Sequence, residues 1–262
     1  MPLNDIKFGR LEPKDWKHVD KYPIEKLQLG APPTAIEVLK PYPKFLIDRY
    51  NQGDTGCCVG YSYSWDASYR NSISNYDPYK YNAKRLYVES RIVGGYRDPY
   101  NMMEGSALDY ACQVLAKMGH WRTGEHDDET WDGNLYKEDG ISKYVWATNV
   151  NGLRTALASG FTAVLGIAWA NTLMTPLRKG GEWWVELGQN YNFVGGHAIA
   201  CIGVSDERSA IALLNTWGPD WADGGVCWLS YNDFTKIMAI QGEISVITDI
   251  PGAHRSHPDF PK

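Results

Sequence analysis

The sequence has no long apolar run, no cysteine framework and no basic tract, and each absence removes a class of protein. No segment approaches the roughly 20 uninterrupted apolar residues of a membrane helix. The amino-terminal MPLNDIKFGRLEPKDWKHVDK has no apolar centre of the kind a secretory signal carries. A cytoplasmic protein with no membrane partner is expected. Five cysteines in 262 residues are too few for a stapled secreted scaffold, and an odd count leaves at least one thiol unpaired. The formal net charge is -5 without a Lys/Arg run, which argues against nucleic acid as a partner, because phosphate binding depends on a basic face.

What is present is an ordinary globular balance, 44% hydrophobic and 22% charged, enough to bury a substantial core in one large domain or two lobes. Aromatics are abundant, with 11 Trp and 17 Tyr. Core filling is their ordinary use, and a substrate groove or an interface the other. Residues 1–45 carry repeated prolines (Pro13, Pro23, Pro32, Pro33, Pro41, Pro43) and little periodicity, so an extended course over the surface is expected.

From Cys58 the series Cys58, Ser62, Trp65, Tyr69, Ile73 repeats at helical spacing and predicts one face against a core. Further helices are predicted over 79–93, closed by Gly94 and Gly95, over 106–118, ended by Gly119, and over 152–159. Strands follow: FTAVLGIAW, EWWVEL, HAIACIGV, AIALLNTW, GGVCWLSY and GEISVITDI. Helices first and strands afterwards predict an α+β protein of two lobes, divided near residues 125–150, with a ligand site in the cleft between them.

The stretch NQGDTGCCVGYSY, Asn51 to Tyr63, sets two cysteines side by side at the start of the first of these helices. Adjacent cysteines suit neither disulfide geometry nor zinc-ligand spacing, which leaves a nucleophile or a buried thiol. A cysteine nucleophile needs a base and a donor that orients the base. Of the six histidines, only His197 lies in a strand-like run, GGHAIACIGV, and LLNTWGPDWADGGVCW then supplies Asn215 at the end of an apolar strand.

These three segments, QGDTGCCVGYS, GGHAIACIGV and NTWGPDWADGG, resemble in order and separation the nucleophile, histidine and asparagine segments of papain-like cysteine peptidases. The family patterns run Q-G-x-C-G-S-C-W, N-H-A-V and N-S-W-G-x-x-W-G-x-x-G. The match spans about residues 48–230, and the separation of about 140 residues from cysteine to histidine agrees with that family. The resemblance implies a papain-like two-lobed fold, with a helical amino-terminal lobe, an antiparallel β-barrel-like carboxy-terminal lobe and the active site in the cleft. It places the catalytic domain at 46–262, with a helical lobe about 46–125, a β lobe about 145–250 and a tail at 251–262. It makes Cys58 the nucleophile, His197 the base, Asn215 its orienting amide, Gln52 the oxyanion-hole side chain and Trp217 the indole that shields the histidine–asparagine hydrogen bond. The implied activity is thiol-dependent hydrolysis of peptide bonds in a peptide or protein substrate, with no cofactor and no metal. A transferase or amidase with the same triad is an alternative, as is an adaptor on the same scaffold, and a protein partner or larger assembly stays open.

Departures from the family pattern are informative. Thr55 stands where secreted members carry a disulfide cysteine, so that bridge cannot form, and Cys112, Cys201 and Cys227 read as buried thiols. Val59 replaces the tryptophan after the nucleophile, which predicts altered packing with the chemistry retained. GSALDYACQVLAKMGHW resembles the helix after the family's substrate-binding glycines, but Gly94-Gly95 lies several residues upstream of the expected place and Gly105 stands nearer. About 57 residues precede Cys58, too few to add an inhibitory prodomain to the usual mature amino terminus, so narrow specificity, a partner or confinement is expected to restrain the enzyme. At about pH 6, Cys58 is expected to react rapidly as a thiolate and Cys57 hardly at all.

Overall fold

The computed structural model describes residues 7–12, 16–30, 35–40, 50–74, 80–123, 134–240 and 242–249. The extended course expected for residues 1–45 is interrupted by a five-residue helix α1 (Lys17–Lys21) and a 3-10 turn at Ile24–Leu27. A short strand β1 (Glu37–Leu39) follows. Helix α2 (Cys58–Ser74) begins at the second of the paired cysteines. It is buried on every side from Cys58 to Arg70, where the spacing predicted one buried face. A helix of mixed polarity tolerates this because its polar groups find partners. Ser62 Oγ donates to Ala198 O at 2.9 Å, Ser64 Oγ meets His120 Nε2 at 2.9 Å, and Arg70 pairs with Asp66 at 2.8 Å.

Strand β2 (Lys80–Tyr81) leads into α3 (Ala83–Val93), whose Asn82 cap accepts from the Arg85 amide at 2.8 Å. Gly60 lets α3 approach α2 closely, since a Cβ there would lie 2.2 Å from Ala83 O. Helix α4 (Leu108–Lys117) completes this lobe, and β3 (His120–Thr123) and β4 (Asn134–Tyr136) join β2 in a three-stranded sheet that the sequence reading did not predict.

The second lobe starts with β5 (Tyr144–Ala147) and α5 (Val150–Ala158) and continues through β6 (Thr162–Ala170), β7 (Leu177–Lys179), β8 (Glu182–Val185), β9 (Phe193–Ser205), β10 (Ala210–Leu214) and β11 (Val226–Ser230). Helix α6 (Tyr231–Met238) and β12 (Glu243–Ile247) close it. The sheet runs β5-β12-β6-β9-β10-β11-β8-β7 with β1 paired to β9, and every pairing is antiparallel except β11 with β8. The chain is thus α+β with helices in one lobe and a large, mostly antiparallel sheet in the other, as expected. Helix α6 was missed because its cap, Ser230 accepting from the Asp233 amide at 3.1 Å, directly follows a strand run.

Among the described residues, two of the three apolar clusters cross between the lobes. One joins Cys58, Val59, Tyr63 and Leu86 to Val164 and Ala198, and the other joins Cys57, Tyr61 and Trp65 to Ala200, Ala212 and Leu214. Helix α2 is therefore seated against the middle of the sheet, with its first turn beside β9. Among the described residues no helix is long and apolar enough to cross a membrane.

Candidate active site

The sequence brings Cys58 and His197 together through one strand. Strand β9 pairs with β6 so that His197 faces Ile167 in register, and the next residue, Ala198, donates its N–H to Cys58 Sγ at 3.3 Å. Cys57 points elsewhere, its Sγ lying 3.5 Å from Met102 Sδ within the apolar cluster under α2. The two adjacent thiols thus occupy different apolar clusters, Cys58 beside the histidine strand and Cys57 against Met102.

His197 Nε2 lies 2.8 Å from Asn215 Oδ1, and the Thr216 backbone N–H donates to the same atom at 2.9 Å. A backbone N–H can only donate, so the atom it reaches is the amide oxygen, and Nε2 must be the protonated nitrogen of a neutral imidazole. That leaves the lone pair on Nδ1, which is buried with no hydrogen-bond partner among the described residues. Three indole and phenyl rings wall the imidazole: Trp217 at 5.0 Å and tilted 34°, Trp169 at 5.0 Å edge-on, and Phe8 at 6.3 Å edge-on. Trp217 is the indole that the sequence reading named, and Trp169 and Phe8 are additions.

Gln52 is buried and zipped to the segment after Asn215. Its amide N–H donates to Thr216 O at 2.9 Å and its Oε1 accepts from Thr216 Oγ1 at 2.7 Å. Its Nε2 donates to Thr55 O at 2.8 Å and to Lys7 O at 3.5 Å. Val59 is fully buried in the inter-lobe cluster.

Residues 7–11 cross this constellation as a strap. Arg10 N–H donates to Gly196 O at 2.8 Å on one wall. On the other, Ser106 N–H donates to Gly9 O at 2.7 Å and Leu11 N–H to Ser106 O at 2.8 Å, a parallel pairing of Arg10 with Ser106. The Gly9 amide is hydrogen-bonded to the Cys58 thiol. The approach is so close that a Cβ on Gly9 would fall 1.6 Å from Gly56 O, and one on Gly105, which has φ +84°, would fall 2.2 Å from Gly9 O. Gly105, and not Gly94 or Gly95, is therefore the glycine that meets a peptide backbone. The strap leaves Cys58 and His197 with no exposed surface. Nothing in KFGRL marks it as an active-site segment, since one glycine between Phe8 and Arg10 is no pattern.

Xylellain, a cysteine protease from Xylella fastidiosa, is 19% identical with a TM-score of 0.61, covering 92% of this chain and 91% of that one. A digestive procathepsin L2 proteinase from the larval midgut of Tenebrio molitor is 18% identical with a TM-score of 0.64, covering 95% and 81%. The proCathepsin B S9 of Trypanosoma congolense is 13% identical with a TM-score of 0.62, covering 93% and 86%. The chain has the papain-like fold. No protein-family model matches it, and neither does any curated protein sequence.

Within this papain-like scaffold the strap sets the electrostatics. Burial pushes the Cys58 thiol up to about 11, against the amides of Ala198, Gly9 and Val59 that favour the thiolate. Burial likewise lowers His197 to about 4, against the Asn215 hydrogen bond. Burial thus disfavours the charged form of both groups in this covered state. Desolvation by burial outweighs the backbone amides that face the sulfur. Cys57 is pushed up to about 12, chiefly by burial in an apolar cluster and against a hydrogen bond with Thr55.

Two of the buried imidazoles, His197 and His120, make acid costly to the fold. In the unfolded chain each binds a proton below about pH 6.5, whereas folded His197 waits until about 4 and folded His120, also lowered by burial, until about 3. Their contribution to stability is complete above pH 6.5 and is lost as the pH falls toward 4, at about 1.4 kcal/mol per pH unit for each group. Urea midpoints at pH 7.5, 6 and 5 are expected to fall in that order. A flat profile over that range would show that both rings are hydrated.

Proposed function

We propose that the chain is a thiol peptidase that hydrolyses peptide bonds through Cys58, His197 and Asn215, and that residues 7–11 hold it shut. The observation that carries this reading is the directed base: an imidazole whose Nε2–H is committed to Asn215 Oδ1 at 2.8 Å, with a bare Nδ1, on the residue before the amide that touches the Cys58 sulfur.

With the strap displaced, His197 Nδ1 takes the Cys58 proton and the sulfur attacks the substrate carbonyl carbon, moving an electron pair onto oxygen. The Gln52 side chain and the Cys58 backbone N–H donate to that oxyanion. The His197 imidazolium gives its proton to the leaving amine as the C–N bond breaks, which leaves a thioester. Water, deprotonated by His197, then attacks the thioester and the C–S bond breaks. Asn215 keeps the imidazole in one tautomer, and Trp217 excludes water from that hydrogen bond.

The strap is oriented as a blocker. It presents the Gly9 N–H to the sulfur, while the Gly9 carbonyl is tied to the Ser106 amide at 2.7 Å. Gln52→Ala, in a chain whose strap has been displaced, is expected to lower kcat about 100-fold with little change in KM, because an oxyanion donor acts on the transition state. An unchanged kcat would remove Gln52 from the site.

The full burial of Cys58 favours one other reading, a binding protein on a peptidase scaffold. Products separate the readings: a carboxylic acid and a free amine from a peptide mean hydrolysis, transfer of the acyl group to an added amine means a transferase, and neither means a binding scaffold.

A further inference from the structure

The two walls hold the strap differently. On one, the Arg10 side chain reaches the buried Glu243 carboxylate, with Nε at 3.3 Å and Nη2 at 3.0 Å from Oε1. On the other, Ser106 holds the strap through its backbone N–H and carbonyl, so the grip of that wall depends on where residues 94–107, the connection from α3 to α4, place Ser106. All five cysteines are free, and no disulfide ties this connection down. Three residues on one face of α3 tie it instead, at the i, i+3, i+4 spacing that brings side chains together. Tyr87 Oη donates to Asn101 O at 2.6 Å and accepts from the Gly105 N–H at 3.0 Å. Ser90 Oγ donates to Tyr87 O at 2.7 Å and so accepts from Ser106 Oγ at 2.6 Å. Arg91 makes the most ties: Nη1 donates to Gly105 O at 2.5 Å, and Nη2 to Asp98 O at 2.8 Å and to Glu104 Oε2 at 2.5 Å. Its side chain is completely buried, with Cζ 4.6 Å from the ring centroid of Tyr96 and 5.6 Å from that of Tyr87. The Glu104 side chain is 55% exposed, so solvent screens that pair and the two carbonyl contacts carry the tie. A planar guanidinium fork spans acceptors this way, which the single nitrogen of a lysine does not.

We infer that Arg91 is a positioning residue: its guanidinium holds Ser106 where a chain lying beside Cys58 pairs with it, and so governs both how firmly the strap closes the site and how tightly a peptide binds in its place. None of these bonds joins Arg91 to Cys58 or His197, so its loss acts on binding and spares the bond-making step. Released from the fork, the connection regains the mobility usual for surface loops, and affinity falls with the fraction of molecules whose wall is in place. The inference rests on the peptidase reading only where turnover is measured, since the strap itself reports on the wall without a substrate.

The test uses the full chain carrying Arg91→Met, alone and together with Gly9→Val, which drives the strap against Gly56 O. Tyr87→Phe is a milder second variant that removes only the hydroxyl between Asn101 O and the Gly105 N–H. Arg154→Met is the control, since it too loses a guanidinium pair, to Asp206 at 2.5 Å, but on α5 in the other lobe. Alone, Arg91→Met is expected to raise iodoacetamide labelling of Cys58 about tenfold, because the strap loses a fixed partner, whereas Arg154→Met leaves labelling unchanged. In Gly9→Val, the acetylated pentapeptide amide KFGRL, copied from residues 7–11, is titrated for protection of Cys58, and kcat and KM are measured on one peptide that the opened chain cleaves. Adding Arg91→Met is expected to raise the protecting concentration and KM about tenfold, with kcat and the peptide-free labelling rate within about twofold. Tyr87→Phe should move the same quantities in the same direction by about threefold. Folded Arg91→Met and Tyr87→Phe chains with labelling, protection and KM all unchanged would overturn the assignment, as would a lowered kcat with KM unmoved, or equal shifts in Arg154→Met. Protection that shifts as expected in a chain that cleaves nothing would instead count against the peptidase reading alone.

Discussion

Gly9→Val is expected to raise the rate at which a thiol alkylator modifies Cys58 by about 100-fold or more. The added carbons have no room, because even the first would lie 1.6 Å from Gly56 O, and Gly56 is itself held by its N–H on Met102 O at 2.7 Å. Overlap with a fixed backbone carbonyl costs about 3 kcal/mol or more, and each 1.4 kcal/mol shifts the closed-to-open balance tenfold. The strap has no compensating place to go, since Gly105 and Gly196 press on it from the two walls. Gly30→Val is the control: nothing lies within 4 Å of a Cβ built there, and labelling should match the unaltered chain. Mass spectrometry of the labelled peptide should find the adduct on Cys58 and not on Cys57, whose sulfur stays in the core. Equal labelling of Cys58 in Gly9→Val and the unaltered chain, both folded by circular dichroism, would mean that the strap does not close the site.

In that opened chain, His197→Ala is expected to lower kcat/KM for peptide hydrolysis by about 1,000-fold, the middle of the range for a positioned acid and base. Asn215→Ala is expected to cost less, about 10- to 100-fold, because the amide orients the proton carrier without being it. A second readout belongs to the same substitution. A thiol with an ordinary pKa is only about 0.3% ionised at pH 6, whereas one beside an imidazolium at a helix start is largely thiolate. Alkylation at pH 6 should therefore be rapid in Gly9→Val and collapse in Gly9→Val with His197→Ala. Equal and complete loss for His197→Ala and Asn215→Ala, in folded proteins, would contradict the division of roles.

The fold was legible wherever hydrophobic periodicity was long and uninterrupted. The run around His197 reads as a strand because Ala198, Ile199, Ala200, Cys201 and Ile202 are buried on both faces of the sheet's middle. Helix α2 was found from its spacing but credited with one buried face, since its Ser62, Ser64 and Asp66 look solvent-directed until their partners on β9, on β3 and at Arg70 are known. Helix α6 and the sheet of β2, β3 and β4 were missed because each is short and its signal is a cap or a pairing, which local hydrophobicity does not carry.

At the site, the types and spacing of Cys58, His197, Asn215 and Gln52 made them the candidate set, and the fold brings them to one end of α2. The strap and Glu243 were invisible for a different reason. Both depend on contacts between residues more than 90 positions apart, Gly9 with Ser106 and Arg10 with Glu243, and no local pattern encodes where a glycine or a lone glutamate will be placed in space. The expectation of a reactive thiolate rests on the helix start and the base, whereas the structure adds burial of the sulfur, which raises the thiol's pKa in the covered state.

The measurement that bears most directly on the central claim is a product analysis of the opened chain. Gly9→Val, and Gly9→Val carrying Cys58→Ala, are each incubated with a mixed peptide library at pH 6, and new termini are sequenced by mass spectrometry. The predicted result is a set of peptides ending in free carboxylates, with matching free amines, that depends on Cys58 and is absent from the Cys58→Ala chain. No new termini from an opened, folded chain whose Cys58 labels rapidly, or the same termini from both chains, would contradict a thiol peptidase held shut by its own amino-terminal strap.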